Sequence, residues 1–159
     1  MNKAILILAI SSLLIHSGCD KEPFFNLEWA PESCRIDGRK YYLKTDLDRD
    51  FSYKASPPEG SPLYIAAIII GSDSTEIFPK TIDADGLWIF NGREIWTAQI
   101  SEKLRSDHPT FWNRFVLLAR DGPLWGPDIN VDVVVRIINK SDNNRYYLKA
   151  LQQPINESS

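Results

Sequence analysis

The sequence predicts an all-β domain, an immunoglobulin-like β-sandwich of about seven to nine short antiparallel strands with at most one short helix. Three observations carry this. From Phe24 onward, runs rich in Val, Ile, Tyr, Phe and Trp alternate with clusters of Gly, Pro, Asn and Asp, the punctuation of hairpin-connected strands. Asn91-Gly92 stands between two apolar runs, the strongest short-range hairpin signal. Asn130 to Ile138 sets Val131, Val133, Val135 and Ile137 on one face and Asp132 and Arg136 on the other.

The remaining elements follow in order. Leu63 to Ile70 is a continuous apolar run that suits a central strand. Weaker strands are expected near 24–29, 34–36, 40–45, 51–54, 75–78 and 111–120. A type I′ turn at Asn91-Gly92 would pair Phe90 with Arg93, Ile89 with Glu94, Trp88 with Ile95 and Leu87 with Trp96. Both faces of that hairpin are apolar near the middle, so it should be covered on both sides. Ser101 to Arg105 is read as a short helical turn with Ser101 as N-cap, although Leu104 stands where a capping box needs its carboxylate. Asn139 to Asn144 is a loop, and Arg145 to Leu151 returns as the partner of 130–138. The similarity of Lys40-Tyr-Tyr-Leu-Lys44 to Arg145-Tyr-Tyr-Leu-Lys149 is too short to mark a repeat.

The first nineteen residues have a separate character. Lys3 precedes a mostly apolar run from Ala4 to Ile15, the arrangement of a secretory signal and too short to span a bilayer as a helix. The run ends in His16-Ser17-Gly18-Cys19, which resembles the lipobox of bacterial lipoproteins, with His16 where that family usually has Leu. The resemblance implies removal of residues 1–18, acylation of Cys19, and a cell-envelope location at the inner or outer membrane, facing the periplasm. Two or more acyl chains anchor stably where one holds only marginally. The expected organisation is signal peptide 1–18, tether 19–23, sandwich 24–151 and a flexible polar tail 152–159.

Loss of residues 1–18 from 159 leaves 141, enough for one domain with a real core. With Lys3 gone, 17 basic against 21 acidic side chains give −4, which disfavours a nucleic-acid partner. Cys34 is then the only other cysteine; if Cys19 keeps its thiol, a Cys19–Cys34 disulfide is the competing arrangement.

Enzymatic and cofactor chemistry find no framework. After signal removal His108 is the only histidine, and neither a Cys-x-x-Cys nor a His-Glu-x-x-His spacing occurs. Asp107-His108 with Ser101 or Ser106 lacks a nucleophile-elbow context; a Cys34–His108 pair could in principle be nucleophilic, but His108 reads rather as a helix-end or loop residue. Asp46-Leu-Asp-Arg-Asp50 and Asp83-Ala-Asp85 miss the glycine of a calcium loop at its sixth position. The expectation is a non-enzyme with no cofactor and no metal.

Five Trp, six Tyr and seven Phe remain as material for recognition. The segment Asp121-Gly-Pro-Leu-Trp-Gly-Pro-Asp128 is the candidate contact, with Trp125 and Leu124 as its residues. Trp125 either contacts a partner or folds back to cap the open end of the core. The expected function is an accessory or protein-interaction role for a membrane-anchored envelope lipoprotein, held by membrane lipid at Cys19 and facing another envelope protein. The alternative is a module that recognises glycan or peptide through surface tryptophans.

Overall fold

The computed structural model describes residues 27–49, 62–71, 76–105 and 112–157. The signal segment, Cys19, the tether, the strand expected at 51–54, and Ser106-Asp107-His108 lie outside these. Among the described residues the chain forms β1 (Ser33–Ile36), β2 (Arg39–Arg49), β3 (Leu63–Gly71), β4 (Ile82–Asn91), β5 (Glu94–Thr97), β6 (Ile100–Arg105), β7 (Arg114–Gly122), β8 (Asn130–Asn139), β9 (Asn144–Pro154) and β10 (Asn156–Glu157).

One sheet runs β1-β2-β3-β7-β6, with β10 parallel to the far end of β2; the other runs β5-β4-β8-β9. All other pairings are antiparallel. The two sheets pack as a β-sandwich because alternate residues on facing strands are apolar. Ile65, Ala67, Ile69 and Leu117 from one sheet meet Leu87, Ile89, Val133, Val135 and Ile137 from the other in a single buried cluster. The 63–70 run is central as expected, with β2 on one side and β7 on the other. The 130–138 strand buries its predicted face, and β9 returns beside it.

The β4–β5 hairpin forms, but its turn is displaced. Asn91 pairs with Glu94, Phe90 with Ile95 and Ile89 with Trp96, so the two-residue loop is Gly92-Arg93. Gly92 takes φ +59 at the first loop position, as a II′ turn requires, and Asn91 stays in the strand. The partner has slipped by two residues, which preserves every side chain's face. Leu87 and Ile89 enter the main core, while Trp88, Phe90 and Val134 form a second cluster under Leu27. β4 is therefore covered on both sides, whereas its hairpin partner β5 is largely exposed, contrary to the expectation for the whole hairpin.

Four further expectations are corrected: the helical turn at 101–105, the strands near 24–29 and 75–78, and the frayed tail from 152. Residues 101–105 are strand, not helix: β6 continues β5 through a corner at Ala98–Gln99 and pairs with β7, and the Ser101 hydroxyl donates to the Leu118 carbonyl (3.0 Å). Without a capping-box carboxylate the local helix signal is weak, and sheet pairing overrides it. Leu27 to Ala30 forms a single turn, closed by the Ala30 N–H on the Leu27 carbonyl (3.2 Å), and Phe78 is a buried plug outside any strand. Residues 152–157 are ordered rather than a frayed tail. Ile155 is buried in the core and delivers β10 to β2, where Thr45 Oγ1 donates to Gln153 Oε1 (2.6 Å).

Candidate functional site

Most of the charged residues singled out in the sequence are fastened within the fold. Asp83 accepts from Lys103 (3.0 Å), Lys140 (2.7 Å) and the Ala84 N–H (2.8 Å). Burial works against its ionisation, yet these hydrogen bonds prevail and hold the carboxyl well below the usual range. Asp85 takes a two-pronged contact from Arg136 (2.6 and 3.0 Å). Asp132 pairs with Lys149 (3.1 Å) and accepts from the Gln152 N–H (2.9 Å), stabilising a β9 bulge where Gln152 has φ +52. Asp46 and Asp48 lie on the extended β2, which spreads their carboxylates along one face rather than wrapping them about an ion. Burial pushes the Cys34 thiol up to about 11, so it stays protonated at neutral pH.

Trp125 and Leu124 separate in role. Trp125 is half-buried against the main core, its Nε1 donates to Glu94 Oε2 (2.7 Å), and its carbonyl accepts from Arg49 Nη1 (3.1 Å). Leu124 beside it is 40% exposed. The loop is thus pinned to β5 by its tryptophan and shows its leucine to solvent.

The other tryptophans divide by face. Trp88 is buried, its ring over Gly86 and near Arg136. Trp29 is 74% exposed and borders, with Glu28, Phe90, Gly92, Asp132 and Lys149, a shallow depression on the outer face of the β5-β4-β8-β9 sheet. Ile95, 37% exposed, is the cross-strand partner of Phe90. Trp29, Phe90 and Ile95 make an apolar patch rimmed by charges.

Trp96 marks a second feature, at the corner where β5 becomes β6. A groove of about 610 Å³ is lined by Trp96, Thr97, Gln99, Ile100, Ser101, Arg120 and Asp121. An adjoining one of about 280 Å³ shares Arg120 and Asp121 and adds Tyr64. Two bulges make the place. On β7, Leu63 pairs with Gly122 and Ile65 with Ala119, so Arg120 and Asp121 together oppose Tyr64. On β6, Ile100 pairs with Ala119 and Glu102 with Leu118, which leaves Ser101 as the extra residue. Consecutive strand residues normally face opposite ways, but both Arg120 and Asp121 are exposed, and Asp121 carries φ +61. The Arg120 guanidinium lies 5.1 Å from the Tyr64 ring centre and 3.3 Å from Glu102 Oε1. A Cβ at Gly122 would come within 2.6 Å of the Trp96 ring, so only glycine lets that indole sit there.

Sequence reasoning missed this groove. The signal was present in Asp121-Gly122, a turn-type pair that interrupts the apolar run 115–119, but nothing local says that Trp96 will come to lie beside it. Fold and grooves together define an all-β sandwich with shallow grooves on its surface. No family model, curated protein or solved structure matches the chain.

Proposed function

We propose that this chain is a membrane-anchored lipoprotein of the bacterial cell envelope whose non-enzymatic β-sandwich contacts another envelope protein. The observation that carries the contact is the Trp29–Phe90–Ile95 patch, an exposed aromatic and an aliphatic flanking a buried ring, with Glu28, Asp132 and Lys149 at the rim. Apolar surface with a charged border is the composition of a protein-binding patch. The tether rests on the lipobox-like His16 to Cys19. Strand orders β2-β3-β7-β6 and β5-β4-β8-β9 support the immunoglobulin-like reading, since they reproduce the A-B-E-D and C′-C-F-G arrangement of those sandwiches.

Two measurements test this. Wild-type chain should fractionate with membranes and carry acyl mass at Cys19, and Cys19→Ser should release it; a wild-type species free of acyl mass overturns the anchor. A photoreactive group placed at the exposed Glu28, on the rim of the patch, should give one defined protein adduct in intact cells. Trp29→Ala with Ile95→Ser should abolish that adduct without loss of thermal stability. An unchanged adduct overturns the contact surface. A second reading, recognition of glycan or peptide through surface tryptophans, is favoured by the groove around Trp96.

A further inference from the structure

We infer that the bulged groove between Trp96 and Tyr64 is a saccharide-binding site, a proposal that deepens the second reading above and is independent of the membrane tether. Its two depressions share Arg120 and Asp121, with Trp96 lining the larger and Tyr64 the smaller. The larger, about 610 Å³, falls in the range of about 300–1,000 Å³ typical of small-molecule clefts.

The lining fits a pyranose better than the other candidates. A sugar ring offers polarised C–H groups on its face and hydroxyls, each both donor and acceptor, around its rim. An aromatic ring with its negative face suits the former. The rim needs donors and acceptors intermixed, and the groove supplies Arg120 as donor, Asp121 as acceptor, and Gln99 and Thr97 as both. A bare anion would meet the Asp121 carboxylate, and Arg120 is already drawn to Glu102. A greasy ligand would find three polar side chains and two charged ones beside Trp96 and Ile100. A peptide added as a strand needs a regular ladder, and both β6 and β7 are bulged here.

The site is also built rather than incidental. Gly122 admits the Trp96 indole, whose nitrogen has no hydrogen-bond partner among the described residues. The bulge leaves both Arg120 and Asp121 exposed and lining the same depressions, at the expense of a left-handed backbone at Asp121. Bulges that re-aim side chains are found preferentially beside functional sites.

The test uses the full chain in a detergent without a sugar headgroup, titrated calorimetrically with maltotetraose, cellotetraose and the tetramer of N-acetylglucosamine. At least one should bind at millimolar concentration or below. Arg120→Gln and Asp121→Asn, both on the surface, should each weaken it about tenfold, the loss of one charge-assisted hydrogen bond. Trp96→Phe should weaken it less, and Trp29→Ala should leave it unchanged. Absence of heat with all three sugars overturns the proposal, as does Arg120-dependent binding of a mixed peptide pool in their place. Sugar binding that is lost in Trp29→Ala but kept in Asp121→Asn leaves the glycan reading standing and overturns this site.

Discussion

At the scale of single residues, Asp83 shows how a surface acid becomes part of the frame. A lysine of β6, a lysine of the turn after β8 and a backbone N–H converge on it, so its folded pKa lies below the value of about 3.9 expected in an unfolded chain. The linkage sign follows. A depressed carboxylate adds stability above the unfolded pKa, and that contribution is lost as the pH falls toward the folded value. Both lysines are substantially exposed, so screening limits the effect to about 1 kcal/mol. Asp83→Asn is expected to be less stable than wild type by that amount in urea denaturation at neutral pH, with the gap narrowing below about pH 4. A gap constant down to about pH 2 would sink the assignment. None of this was legible in the sequence, where Asp83-Ala-Asp85 reads as an acidic pair and its partners lie far along the chain. Trp125 was half legible: the loop and its aromatic anchor were plain, but Glu94 as its partner depends on the hairpin's position.

Elements were read well where a period ran for several residues and poorly where one or two residues decided. The alternation of 131–137 and the apolar run of 63–70 placed β8 and β3 correctly because burial on a sheet face enforces them. The hairpin was found but its turn misplaced by one residue, since Asn91-Gly92 and Gly92-Arg93 each put glycine where positive φ is needed. The observed turn makes a specific prediction. Gly92→Val forces a β-branched residue to φ +59 and should destabilise by about 1–3 kcal/mol. Asn91→Thr, a strand position, should be within about 0.5 kcal/mol of wild type. Equal losses in both variants, measured by chemical denaturation, would restore the Asn91-Gly92 turn. The β6 segment shows the reverse failure. Ser101 to Arg105 has helix-tolerant residues, and only its pairing with β7, some fifteen residues on, makes it a strand.

For the whole molecule, composition and punctuation were enough to predict two packed antiparallel sheets, because an amphipathic strand has few other ways to bury its apolar face. The bulges were not predictable, since the register of each strand depends on a partner distant in sequence. The groove beside Trp96 was therefore not legible, although each of its residues stands in the sequence. Two strand paths change sheets, one from β5 into β6 at Ala98–Gln99 and the other from β9 through Ile155 into β10. Their consequence is cooperative. Neither sheet can open without dragging on a strand of its neighbour, so the sandwich should unfold as one unit. Native-state hydrogen exchange is expected to give the same opening free energy for slow amides of β3 and of β8, equal to the global value. If the β5-β4-β8-β9 sheet exchanges at a lower free energy than the other, the corners do not couple them. Closure of this kind also demands many pairings between residues distant in sequence before any sheet is complete, so refolding should proceed in the millisecond-to-second range of high-contact-order β proteins.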